Sequence, residues 1–437
     1  MSDSIDANDF RRQAKELKEN NKYLDAVELY KKIYYPNCDK WIAWEYTVCL
    51  KKISEIDDAI DIAKNTYFHY KNFQYNNNIL SWLLYEKYFK CINDSYDYND
   101  INNLLSIANF VSDITLQNKD SAYEHIMIQL LKILKQYGNN PMQKILDILG
   151  KLDVNKLSDE ANKYEKDGRE QEYQSRKEMY YSLKTKSLLD LEKYDECIKC
   201  CDEAVNKILI FHHDNDIWIK SRKAICLSNI GEIDLAIVEL ENLIVKKNHW
   251  TLYAEIARIY LLKDDKNNAL YYFCRAAITL DSAKMKVTLY FEIANLLYSM
   301  GELECAWIHL SFAKNIREKE GWRIPHELQT MSYELSNYSY INEVKLSDLI
   351  RIWLDVIYKT IGKQQGIVTH INKGGKTGFI KSEHESYFFK ISSVIGKRHI
   401  KENDKVSFAL IQSYDIKKQQ KSVECAYIVI DESRKIL

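Results

Sequence analysis

The chain has 437 residues, 46% hydrophobic and 29% charged, with a formal net charge of −1. That length exceeds one ordinary core and predicts two or three domains. The near-neutral balance excludes polyanion binding by bulk charge, so any basic surface must be local, and no stretch approaches the uninterrupted apolar length of a membrane span.

The opening MSDSIDANDFRRQAKELK has no apolar core of signal-peptide length. Ten cysteines are scattered, as at Cys274 in YYFCRAA, which predicts reduced thiols and a cytoplasmic protein. Only three prolines occur, Pro36, Pro141 and Pro325, so many helices joined by short turns are expected.

From residue 8 to about 361 apolar residues recur at three- and four-residue spacing; in LYAEIARIYLLK, Leu252, Ile256, Ile259 and Tyr260 share a helical face. Six segments align on a small residue after a polar turn: Ala26, Ala59, Cys197, Ala236, Ala269 and Ala306. The first pair is 33 residues apart and the later separations are 39, 33 and 37. Twelve residues earlier, four of the units carry another small residue, Ala14, Ala224, Ala257 or Ala294, followed by Leu17, Leu227, Tyr260 or Leu297. Each unit reads as helix, short turn, helix. One pair cannot bury its apolar faces alone, so neighbours must stack.

Over most of 8–320 this pattern resembles the tetratricopeptide repeat family in degenerate form. Only Gly231 and Gly301 keep a glycine five residues before the key alanine, and the family's terminal proline is mostly missing. The resemblance implies an α-solenoid whose groove receives a protein partner. Residues 79–150 read as helical without a repeat phase, and 157–191 as one long charged helix or a helix pair. The expected domains are 1–154 (helical repeats), 155–340 (tetratricopeptide-like repeats), 341–363 (connecting helix and linker) and 364–437.

After Ile361 the period becomes two. Five segments, 366–372, 377–383, 386–392, 404–413 and 422–430, read as short strands and suit a small five-stranded β-barrel. GIVTHINKGGKTGFIKSEHESYFFKISS resembles a cold-shock domain through Gly366, Val368, Asn372, Gly378, Phe379, Ile380, Phe388 and Ser392; ENDKVSFAL, Ala426 and Ile428 extend the likeness. The resemblance implies an OB-fold that binds single-stranded RNA or DNA, RNA being favoured. Its departures are His370 for a tryptophan, Ile371 for a phenylalanine, Thr377 for an aromatic and Lys390 for a histidine.

The strand period places Phe388 and Lys390 on one face, with Phe379 beside Phe388. Two exposed aromatics form a stacking platform, worth roughly 1–3 kcal/mol per base. His370 can add a third ring, and Lys373, Lys376, Lys381 and Lys390 are the candidate phosphate contacts. Residues 366–430 hold eleven Lys and Arg against six Asp and Glu, a net of +5, which leaves −6 for the remainder. The competing reading has the barrel kept for folding or protein contact, with Phe379 and Phe388 covered by helices. A third makes the chain an accessory subunit presenting the barrel to a partner enzyme's substrate.

Three other patterns point elsewhere and fail. GGKT lacks the first phosphate-loop glycine, since position 370 is His370, and a strand rather than a helix follows. In FHHDND, His212, His213, Asp214 and Asp216 have no complementary ligand spacing nearby. Cys197, Cys200 and Cys201 fit buried helix positions. No catalytic constellation or cofactor loop stands out, so neither enzyme activity, nor a metal, nor a cofactor is expected.

Overall fold

The computed structural model describes residues 2–91, 95–166, 168–339, 344–383, 385–396, 399–415 and 420–431. The chain forms two compact units, residues 1–222 and 223–437. The first contains α1 (Ser2–Glu19), α2 (Tyr23–Ile33), α3 (Lys40–Lys52), α4 (Ile56–His69), α5 (Gln74–Tyr88), α6 (Tyr98–Ile114), α7 (Ala122–Tyr137) and α8 (Met142–Gly150). A hairpin of β1 (Asn162–Lys166) and β2 (Arg169–Tyr173) follows, then α9 (Arg176–Asp190) and α10 (Tyr194–Lys207). The chain leaves this unit within α11 (Asn215–Asn229). The second unit continues with α12 (Ile233–Lys246), α13 (Trp250–Leu262), α14 (Lys266–Ala277), α15 (Val287–Ser299), α16 (Leu303–Lys319), α17 (His326–Glu334) and α18 (Leu346–Ile361).

The helices are arranged as helix–turn–helix repeats, and the repeat positions read from the sequence are the packing positions. Ala14, Ala26, Ala59, Cys197, Ala224 and Ala236 are fully buried. So are Ala257, Ala269, Ala294 and Ala306. In the two pairs that lack the earlier alanine, Thr47 and Thr185 take its place, also fully buried. Their hydroxyls donate to the carbonyls of Ala43 and Tyr181 at 2.9 and 2.8 Å, so the small position tolerates a polar group bonded back to its own helix.

The turns are equally regular. Five residues before each key small residue the backbone is left-handed, at Asn21, Ser54, Glu192, Gly231, Asp264 and Gly301, with φ from 56° to 95°. The next amide then donates back to the carbonyl of Leu17, Leu50, Leu188, Leu227, Tyr260 or Leu297 at 2.9–3.1 Å. This is the Schellman closure of a helix C-terminus. Gly fits it without strain at two of the six sites only. Starts are capped by side chains at Asp39, Asp97, Ser121, Ser175 and Asp265. Pro141 and Pro325 sit at the starts of α8 and α17.

One expectation fails at residues 157–191. The segment is a β-hairpin followed by a single helix, not a long helix or a helix pair. Lys166 pairs with Arg169 across a two-residue turn that includes Gly168 at φ 70°. Asp167 lies outside the described residues. Lys163 reaches Glu170 on the opposite strand at 3.1 Å. Glu and Lys favour helices, but Asp-Gly between alternating residues is a strong hairpin signal, and here it prevails.

Beyond α18, Gly362 at φ 88° turns the chain into five strands: β3 (Gln364–Ile371), β4 (Thr377–Ser382), β5 (Glu385–Lys390), β6 (Lys405–Asp415) and β7 (Gln420–Ile430). They close a barrel in the order β3-β4-β5-β7-β6, antiparallel except for β5 with β7. Val368, Ile380, Phe389, Val406, Phe408 and Ile428 fill it. The barrel meets the helices of its own unit through β6 and β7. A register shift puts an extra residue into β7 opposite β6, and there Tyr427 adopts φ 54°. Tyr427 is held from both ends: its carbonyl accepts from the Tyr358 hydroxyl at 2.6 Å, and its own hydroxyl accepts from Arg275 Nε at 2.8 Å. No helix among the described residues is long and apolar enough to cross a membrane.

Candidate nucleic-acid interface

The face under consideration is the outer surface of β3, β4 and β5. In β4, Gly378, Ile380 and Ser382 are buried while Phe379 and Lys381 are exposed, which is the two-residue period with the core on one side. Gly378 is required by packing. A Cβ there would meet the His370 carbonyl oxygen at 2.5 Å and the Phe389 ring at 2.6 Å. Its absence lets Phe389 fill the barrel directly beneath the outer aromatics.

Register brings three of the candidate residues into one row. His370 pairs with Phe379, Phe379 with Phe388, and Phe388 with Glu424 of β7. The Phe379 and Phe388 rings lie 5.9 Å apart, edge to face at 73°. Phe379 is 37% exposed and Phe388 half-buried. The helices, meeting the barrel at β6 and β7, leave Phe379 uncovered.

The basic residues divide into two sets. Lys373 and Lys376 are exposed on the turn between β3 and β4, and Lys381 is exposed on the same face of β4 as Phe379. Lys390 instead donates to Glu424 Oε1 at 2.9 Å, while Ser413 holds the other carboxylate oxygen at 2.9 Å. His370 Nδ1 is 3.3 Å from Glu402 Oε1. Glu402 and Glu424 were not singled out from sequence. No local pattern marks Glu424, because its partners are set by pairing on both sides of β7, parallel with β5 for Lys390 and antiparallel with β6 for Ser413.

Thr377, which stands where the cold-shock pattern has an aromatic, serves the turn. Its hydroxyl accepts from Asn372 Nδ2 at 2.6 Å, and its carbonyl accepts from the Asn372 amide at 2.9 Å. Gly375, at φ 62°, completes that turn, and β4 follows it. The GGKT stretch is therefore a hairpin loop with no helix N-terminus behind it.

The remaining candidates have structural partners. His212 is engaged by the protein: its amide and Nδ1 contact the two oxygens of buried Glu178 at 2.8 and 2.7 Å. No cluster of three His, Cys, Asp or Glu side chains suited to a metal occurs among the described residues. Cys197, Cys200 and Cys201 are buried, and burial pushes the Cys200 thiol up to about 12.

Residues 217–346 match a family model described as a domain of unknown function (DUF7017), a span that ends before the barrel. No curated protein matches the chain. Among solved structures, a human IFIT1 dimer with PPP-AAAA is 12% identical, covering 78% of this chain and 77% of that one, with a TM-score of 0.37. YrrB, a TPR protein with an unusual peptide-binding site, is 11% identical over 58% of this chain and 90% of its own, with a TM-score of 0.21. A tetratricopeptide repeat protein from Parabacteroides merdae is 9% identical over 76% of this chain and 99% of its own, with a TM-score of 0.30. These scores are too low to carry function from those proteins to this one.

Proposed function

We propose that the barrel binds single-stranded nucleic acid, RNA in preference to DNA, across β3, β4 and β5. The helical repeats hold a protein partner, and the chain is a non-catalytic cytoplasmic adaptor. The observation that supports this reading is the outward row His370–Phe379–Phe388 on adjacent strands. Rings at strand spacing offer a sequence-tolerant stacking surface, and Lys373, Lys376 and Lys381 stand near it to meet phosphates. Lys390 contributes only after leaving Glu424. The five-strand order and the position of the aromatics on the second and third barrel strands support the OB-fold, cold-shock-like identity.

The test is fluorescence anisotropy of the full chain with labelled single-stranded RNA and DNA 12-mers at two salt concentrations, repeated with Phe379→Ala and Phe388→Ala combined. Binding should weaken with salt and weaken further in the double variant. Binding that is absent, or indifferent to both, refutes it. Glu402 and Glu424 beside the aromatics favour the second reading, a protein-contact surface, and that outcome would leave it standing.

A further inference from the structure

A cleft of ≈ 880 Å³ lies in the second unit between helices α12–α15 and α18 on one side and the barrel on the other. That volume is within the range of small-molecule sites. At its helical wall stands Arg275 of α14, only 9% exposed. Among the described residues its hydrogen-bond and ring partners are all tyrosines. Nε donates to the Tyr427 hydroxyl at 2.8 Å and Nη1 to the Tyr271 hydroxyl at 3.3 Å. The guanidinium lies 4.7 Å from the Tyr253 ring centre, 5.3 Å from Tyr271 and 5.4 Å from Tyr272. Among the described residues no carboxylate pairs with it.

The other charges lining the cleft have other commitments or less burial. Lys286 donates to the carbonyls of Ala277 and Thr279, both at 2.7 Å, closing the C-terminus of α14. Lys390 and Glu424 neutralise each other, and Glu241 accepts from the Tyr272 hydroxyl at 2.5 Å. Lys246 and Asp281 complete the set. Arg275 is thus a permanently charged group withdrawn from water and met only by rings and hydroxyls. Ring faces offset part of that cost, and an anion that accepts from the guanidinium fork offsets the rest.

We propose that this cleft binds the phosphate of a nucleotide unit, with Arg275 as the anion anchor. Ser392, Ser393 and Gln412 line the same space and supply further donors to phosphate oxygens, and Tyr253 and Tyr272 give it aromatic walls. A nucleotide is favoured over other anions by continuity. The row His370–Phe379–Phe388 runs on to Glu424, one strand spacing of about 4.8 Å further, and Glu424 and Lys390 line the cleft. The phosphate belongs either to a free mononucleotide or to a unit within a strand. The strand form rests on the barrel reading; the free form stands without it.

The test titrates the full chain with AMP, inorganic phosphate and the labelled RNA 12-mer. It compares wild type with Ser392→Glu, Arg275→Lys and the Phe379→Ala, Phe388→Ala double variant. Ser392 is exposed, so its carboxylate variant tests the cleft even if Arg275→Lys disturbs the barrel contact. AMP should bind with phosphate competing, and both cleft variants should weaken it at least about tenfold, while the double aromatic variant leaves AMP unchanged. If AMP does not bind but Ser392→Glu weakens the 12-mer by that factor, the phosphate is one within a strand. AMP binding without 12-mer binding removes the barrel reading and keeps the cleft. No AMP binding together with a 12-mer affinity unchanged by Ser392→Glu, or no binding of either, overturns the proposal.

Discussion

Acidification should destabilise the second unit through His309, which is fully buried on α16. Its Nε2 accepts from Trp353 Nε1 of α18 at 2.8 Å. The proton therefore sits on Nδ1, which donates to the Cys305 carbonyl at 2.8 Å. Trp353 also stacks on Tyr290 of α15, 5.8 Å away and 9° from parallel, so this contact ties three helices together. A second proton on the ring would point at the indole N–H, and burial penalises the charge. Burial lowers the His309 pKa from 6.5 to about 4, and the Cys305 carbonyl offsets a small part of that. The sign follows. Below pH 6.5 the unfolded chain takes up a proton that the folded one refuses until about pH 4, so stability is lost as pH falls through that window. At about 1.4 kcal/mol per unit, moving from pH 7 to pH 5 removes roughly 2 kcal/mol at this site. Urea unfolding at both pH values, for wild type and His309→Gln, isolates the contribution. Glutamine can still accept from Trp353 and donate to Cys305, so the variant should lose about 2 kcal/mol less than wild type on acidification. Equal losses in the two proteins refute the reasoning.

On the barrel, Phe379→Ala and Phe388→Ala singly should each weaken strand binding roughly fivefold to a hundredfold, read by anisotropy, if each ring stacks one base. At the repeat turns, Glu192 holds φ 58° where two other units have glycine. Left-handed backbone costs a non-glycine about 1–2 kcal/mol and extra chain entropy returns part of it, so Glu192→Gly should raise stability by about 0.5–1 kcal/mol in urea melts. Among the ten cysteines only Cys91 is exposed and Cys305 intermediate, the other eight being buried. Thiol titration of the folded protein should show one fast-reacting group, abolished by Cys91→Ser; any fast group remaining in that variant would contradict the burial pattern.

Much of this architecture is local in origin and therefore legible in the chain. A helix pair closes within about a dozen residues, so its demands appear as spacing: a small residue where the helices touch, another twelve residues earlier, a left-handed turn between. All ten small residues identified from that spacing are fully buried, and the turn glycines at 231 and 301 hold positive φ. The five barrel strands were legible for the same reason, since an in–out period of two is imposed on each strand separately. The hairpin at 162–173 reads as helix in the sequence because its Glu- and Lys-rich strands favour helix, and only the Asp-Gly turn speaks against it. Tertiary structure alone decided what surrounds the candidate sites. Lys390 meets Glu424 across 34 residues and Arg275 meets Tyr427 across 152. Such pairs arise only when the barrel closes and docks. No local periodicity records them, because each partner satisfies its own strand or helix equally well without the other.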